Sequence, residues 1–201
     1  MKKRALALMW AALVLASILF CIALVDRPLA DFAASHAFRI RGSRFIIGAP
    51  GLLLGVALVL PILSWRSRQK QGEAGRRNIA SLCSISVLWA AAAVELVLKR
   101  IFGRPSPGSW LYHHEYTFHW FGGRKAELQT MPSGEMALLT AAIGIFWVIY
   151  PRWRWLYILI LGAEAVGLVW LNWHFASDVI AGAAVGALGA ILALQLGQKR
   201  T

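Results

Sequence analysis

Asn172-Trp173-His174-Phe175-Ala176-Ser177-Asp178-Val179-Ile180-Ala181-Gly182 joins two apolar runs, roughly 155–173 and 175–195. Apolar runs of about 18 or more residues are long enough to span a bilayer. The stretch therefore falls at a membrane surface rather than inside the hydrocarbon. If a helix runs through it, His174 and Asp178 stand four residues apart on one face. A carboxylate so placed accepts from one imidazole nitrogen, fixes the tautomer and leaves the other nitrogen free. A nucleophilic or general-base histidine requires that arrangement. The same spacing also arises where an ion pair only anchors a helix end.

Outward from this junction the chain stays apolar. Of its 201 residues 59% are hydrophobic, and the mean hydropathy is +0.61. Six apolar segments can be drawn, roughly 5–25, 46–65, 79–98, 135–150, 155–173 and 175–195, which predicts an all-α polytopic membrane bundle of six transmembrane helices. It is read as a single membrane domain over residues 1–201. The fourth segment is short, but Pro132-Ser133-Gly134 ahead of it makes a helix start. Lys2-Lys3-Arg4 before the first run has the charge layout of a signal peptide. That run is too long for one and no small-residue cleavage site follows, so it reads as an uncleaved first helix. Cys21 and Cys83 both lie inside apolar runs, leaving no disulfide framework and no cysteine metal site.

The net charge of +12 would suggest nucleic acid in a soluble protein. Here the basic residues flank apolar runs, so anionic headgroups and topology account for them, and membrane lipids replace nucleic acid as the partner. With both termini inside, the short inner segments carry Lys2, Lys3, Arg4, Arg66, Arg68, Lys70, Arg76, Arg77, Arg152, Arg154, Lys199 and Arg200. Glu73 is the only acidic residue among them. The positive-inside rule then places both termini in the cytoplasm. On that topology Lys99, Arg104, Ser133, Gly134, Glu135, His174 and Asp178 all reach the same outer face.

Two further segments bear on chemistry. In Lys99-Arg100-Ile101-Phe102-Gly103-Arg104-Pro105-Ser106-Pro107, Lys99 and Arg104 can offer a phosphate a point charge and a fork, or serve as a snorkelling basic pair at the interface. Met131-Pro132-Ser133-Gly134-Glu135 opens the fourth helix. A Ser-Gly pair there turns backbone N–H groups and a hydroxyl toward an anion. Glu135 by itself can also be a first-turn carboxylate that complements the helix dipole. Glu95 precedes Lys99 by four residues, a favourable order for a helical pair. Glu164 lies mid-segment, either a functional group or a protonated interhelical donor.

Taken together, Lys99–Pro107, Pro132-Ser133-Gly134 and His174–Gly182 resemble the type 2 phosphatidic acid phosphatase family, the lipid phosphate phosphatase and vanadium haloperoxidase superfamily. The loop Phe118-His119-Trp120-Phe121-Gly122-Gly123 fits it too, and the resemblance implies a phosphatase-like core over about 79–195. It also implies a mechanism without metal or cofactor. His174 would attack phosphorus and form a phosphohistidine, with Asp178 orienting it. Lys99, Ser133 and the Gly134 amide would hold phosphate oxygens.

All three motifs depart from the family pattern. Ser106 stands where an arginine precedes proline, Glu135 where a histidine follows Pro-Ser-Gly, and Gly167-Leu168 where Ser-Arg precedes the nucleophile. Glu135 can replace the histidine acid only if it carries a proton while phosphate is bound. Losing a fixed charge-stabilising donor can cost roughly 3–4 kcal/mol in the transition state. Arg104, Arg124 and Lys125 are the candidates to compensate.

The expected function is hydrolysis of a phosphomonoester or pyrophosphate on a lipid. The site would face the periplasm from a bacterial inner membrane. The alternative is a weak or inactive relative that binds a phospholipid or a partner protein.

Overall fold

The computed structural model describes residues 2–36 and 79–198, and the expected segment 46–65 lies outside them. Among the described residues the regular structure is helical. The elements are α1 (Lys2–Phe20), α2 (Asp26–His36), α3 (Ile79–Ala91), α4 (Lys99–Phe102), α5 (Pro107–His113), α6 (Gly134–Ile149), α7 (Arg154–Trp170) and α8 (Ala176–Gln198). Four helical stretches are long and apolar enough to cross a membrane: Arg4–His36, Ser81–Phe102, Pro151–Trp170 and Ala176–Gly197. Gly134–Ile149 is apolar but shorter.

The first of these runs on past the apolar segment 5–25, because α1 passes through a π-helical turn, Cys21–Val25, into α2. Pro28 lacks an N–H and crowds the carbonyl one turn back. Local π adjustments are one way a helix accommodates such a residue. A second π-helical turn, Ala92–Leu98, joins α3 to α4, and the Lys99 N–H reaches back to the Val94 carbonyl.

α3, α6 and α8 form the centre. Val87, Ala90 and Val94 of the α3 stretch pack on Ala137, Leu138 and Ala141 of α6. Leu82 and Cys83 meet Ile145, Ala190 and Ala193. Close helix approach in a membrane depends on small residues, and α8 supplies them where it matters. A Cβ on Gly182 would run into the Ser133 carbonyl, and one on Gly186 into that of Ala137. α8 is thereby seated on the first turns of α6.

α7 lies outside this trio and anchors through Leu168, packed with Met136 and Val179. Large apolar side chains of α1 and α7, such as Leu8, Trp10, Leu15, Ile158 and Val166, point outward. Lipid requires that of a helix surface.

Candidate active site

The turn between α7 and α8 sets the histidine. Asn172 adopts a left-handed conformation, φ 55°. The Trp173 and His174 amides both bond the Leu168 carbonyl, at 3.0 and 3.3 Å. Phe175 becomes the residue ahead of α8, and its N–H donates to Asp178 Oδ2 at 3.0 Å. That is the reciprocal half of a capping box, in which a first-turn carboxylate satisfies the amide that enters the helix.

His174 and Asp178 therefore do not share a helical face as expected, since His174 lies in the turn before α8. They still meet. His174 Nδ1 stands 3.7 Å from Asp178 Oδ2, an ion-pair separation longer than a hydrogen bond. Nδ1 is buried with no hydrogen-bond partner.

The other ring nitrogen, Nε2, lies 3.0 Å from Glu135 Oε2. The His174 side chain is 8% exposed and that of Glu135 25%, so the pair sits at the rim of the buried region. Burial opposes charge on the ring, but the Asp178 and Glu135 carboxylates outweigh it and raise the His174 pKa to about 9. At neutral pH the ring is an imidazolium.

Ser133 caps α6, accepting the Met136 N–H at 3.3 Å and donating its hydroxyl to Glu135 Oε2 at 3.2 Å. Its own N–H bonds the Asp178 carbonyl at 3.0 Å. Across Gly134 lies the expected helical pair, Lys99 Nζ 2.6 Å from Glu95 Oε1. A Cβ on Gly134 would stand 3.0 Å from that oxygen and 3.6 Å from Nζ, so the missing side chain leaves the lysine its place. Lys99 and Glu135 interact electrostatically. Glu164 on α7 interacts in the same way with Glu135 and His174. Lys99, Ser133, Gly134, Glu135, His174 and Asp178 are thus brought together.

Arg104 is placed differently from its expectation as an open phosphate ligand. Gly103, at φ +51°, turns the chain back against the His119 carbonyl, and the Thr130 N–H bonds the Arg104 carbonyl at 3.2 Å. The side chain that follows is directed inward and is fully enclosed. Nη1 donates to Asp178 Oδ1 and to Ser177 Oγ, each at 2.5 Å. Nη2 donates to Asp26 Oδ2 at 2.7 Å and to the Tyr116 hydroxyl at 2.8 Å. The rings of Tyr116, Phe118 and Phe175 surround it, with centroids 5.1, 5.0 and 4.5 Å away. Arg124 and Lys125 are exposed in the loop ahead of α6.

Sequence reasoning missed Asp26 and Tyr116. Asp26 is 1% exposed and also accepts the Ser177 N–H at 3.0 Å and the Ser177 hydroxyl. The signal that points to both is the demand of a buried guanidinium for more acceptors than Asp178 alone supplies.

A family model described as the PAP2 superfamily matches residues 80–201. Among curated proteins, a lipid A 1-phosphatase of Rhizobium johnstonii is 32% identical over 96 residues, which cover 48% of this chain and 39% of that protein. A lipid A 1-phosphatase of Rhizobium etli is 31% identical over 96 residues, covering 48% and 41% respectively. The matched stretch thus spans about two fifths of the length of these relatives. No solved structure matches the chain.

Proposed function

Because the chain belongs to the PAP2 superfamily, we propose that it is a membrane-bound phosphatase acting on a lipid phosphate or pyrophosphate through a phosphohistidine. The observation that carries this is the His174 ring held between two carboxylates, with Nε2 3.0 Å from Glu135 and Nδ1 facing Asp178. One proton on the Nε2–Oε2 contact serves both residues. With the proton on Glu135, Nε2 has its lone pair and the leaving group has its acid.

Substrate phosphate enters between Nε2 and Oε2, with Lys99 and the Ser133–Gly134 helix start holding its oxygens. Nε2 forms a bond to phosphorus as the bond to the leaving oxygen breaks, and that oxygen takes the Glu135 proton. Water then attacks phosphorus, the Glu135 carboxylate accepts the water's proton, and the P–N bond breaks. Phosphate leaves and the shared proton is restored. Asp178 supports the positive ring that develops. Arg104 acts through Asp178 and is not assigned to the phosphate.

The placement of His174, Ser133 and Lys99 at or near helix ends supports a lipid substrate, because the ends of spanning helices lie near the headgroups. Asp26 is roughly 36 Å along the N-terminal helix from Lys2 at about 1.5 Å per residue, about a bilayer away from that end. The site is assigned to the periplasmic face of a bacterial inner membrane, with both termini cytoplasmic, on the positive-inside rule.

A second reading rests on the enclosure of Arg104 together with Ser106 and Leu168 in place of arginines. It makes the chain a non-catalytic relative that binds a phospholipid or a partner protein. Phosphate release from a panel of lipid phosphates by purified protein, beside His174→Ala, separates them. Release that His174→Ala removes supports the phosphatase, and no release from any of the panel sinks it.

A further inference from the structure

The phosphatase reading leaves Asp26 unused, yet it is among the most thoroughly buried ionisable groups in the described residues. It comes from the helix ahead of the matched residues 80–201. Its partners are in three distant parts of the chain: Arg104 and Tyr116 beyond α4, and Ser177 at the start of α8. Every one of them also touches Asp178 or a group bonded to it. Ser177 Oγ and Asp178 Oδ1 accept from Arg104 Nη1, which also reaches Met131 Sδ, while Asp26 and Tyr116 accept from Nη2.

The arrangement has a charge consequence. One guanidinium sits between two carboxylates, so Arg104 is neutralised by Asp26 and leaves Asp178 with negative charge to face His174 Nδ1. Without Asp26, the whole guanidinium charge falls on Asp178, and the support that Asp178 gives an imidazolium weakens. The geometry points to Asp26 as a positioning residue for the His174–Asp178 pair, supplied to the site by the N-terminal helix through Arg104 and Ser177. This rests on the reading of His174 as the nucleophile.

The other charged groups around His174 are Glu135 of α6, Glu164 of α7 and, through Glu135, Lys99. Asp26 hydrogen-bonds to none of them, so its charge reaches the ring through Arg104 and Asp178. Loss of the Asp26 charge is therefore expected to make His174 harder to protonate. Its titration moves toward lower pH, whereas a purely structural carboxylate would leave it in place.

The test pairs a histidine NMR titration with lipid phosphate turnover on the purified full-length protein. Asp26→Asn is expected to lower the His174 pKa by about one unit or more and kcat about tenfold, with KM changed less than about threefold. Asp26→Glu, which keeps the charge, is expected to recover the titration and most of kcat. A wild-type titration in folded Asp26→Asn overturns the proposal.

If Asp26→Asn does not fold, Ser177→Ala carries the test, because it removes the hydroxyl that Asp26 and Arg104 share. A several-fold loss of kcat at unchanged KM supports the proposal, and wild-type kcat there overturns it. If the wild-type protein releases no phosphate at all, the phosphatase reading falls. The titrations of Asp26→Asn and Asp26→Glu still decide the role of Asp26.

Discussion

His174 Nε2 and Glu135 Oε2 lie 3.0 Å apart, and the carboxylates on either side of the ring hold the proton between them on His174. The contact replaces the histidine that relatives in this superfamily are expected to carry after Pro-Ser-Gly. It turns a two-imidazole site into an imidazole–carboxylate one. The pH response of the protein follows from that replacement.

The His174 pKa is raised, to about 9. A raised pKa means the shared proton is kept through neutrality and lost as pH passes through about 9. Activity in kcat/KM, which reports the free enzyme, should therefore be retained at pH 7 and fall with an alkaline limb near 9. Any stability the charged pair contributes is likewise fully present below the ordinary histidine value of about 6.5 and lost through about 9. Glu135→Gln removes one of the two carboxylates, so the limb should move to lower pH and kcat should drop about a hundredfold. Aryl phosphates, whose leaving groups need less protonation, should be rescued over alkyl ones. An unchanged profile in Glu135→Gln would reduce Glu135 to a helix-start residue.

His174→Ala should abolish turnover, and rapid quench of the wild-type protein with labelled substrate should trap acid-labile phosphate on His174. Asp178→Asn should lower turnover strongly. It also weakens the ion pair with Arg104, so a fall in melting temperature should accompany the kinetic loss. Wild-type turnover in His174→Ala would end the phosphohistidine mechanism.

The two basic side chains of the first motif should behave oppositely. Arg104→Gln strands two buried carboxylates, and breaking a buried pair in this way costs about 3–5 kcal/mol. A marked loss of thermal stability is the expected readout. Lys99→Met removes a partly exposed cation whose protein partner, Glu95, is itself half exposed. It should raise KM for a lipid phosphate and leave the melting temperature nearly unchanged. Equal destabilisation by both would contradict the assignment of Arg104 to the interior and Lys99 to the phosphate.

Gly182→Ala places a methyl against the Ser133 carbonyl. Overpacking of this kind costs about 1–3 kcal/mol. It should also loosen the Ser133–Asp178 backbone bond of 3.0 Å, so kcat should fall while expression in the membrane persists. Gly162→Ala, where the added carbon meets nothing within 4 Å, is the control and should be silent in both assays.

Much of the helical framework was legible because hydrophobic runs of spanning length leave few alternatives. The runs 79–98, 135–150, 155–173 and 175–195 correspond to helices ending near those positions. The Pro-Ser-Gly start was legible for a similar reason, since a serine before a glycine and an apolar run has few other uses. The register of His174 and Asp178 was not, because spacing alone does not tell a helical face from a capping turn. Only the Phe175 amide reaching Asp178 settles which it is. Asp26 was out of reach for a different reason. An acidic residue just past an apolar run normally marks the water interface, and nothing local says that a guanidinium 78 residues later needs it. The enclosure of Arg104 follows from the Gly103 turn, whose direction no composition encodes.

The Asp26–Arg104–Ser177 junction also has a bearing on how the chain is made. Ribosomes deliver its parts in order, the acid first, then the guanidinium, and the hydroxyl with α8. Until Ser177 emerges, the carboxylate at the start of α2 lacks part of its final set of partners. The nascent bundle thus carries an unfinished electrical connection between α2 and α8. Its completion coincides with the arrival of His174 and Asp178, so the last partner of the buried cluster and the proposed nucleophile leave the ribosome together.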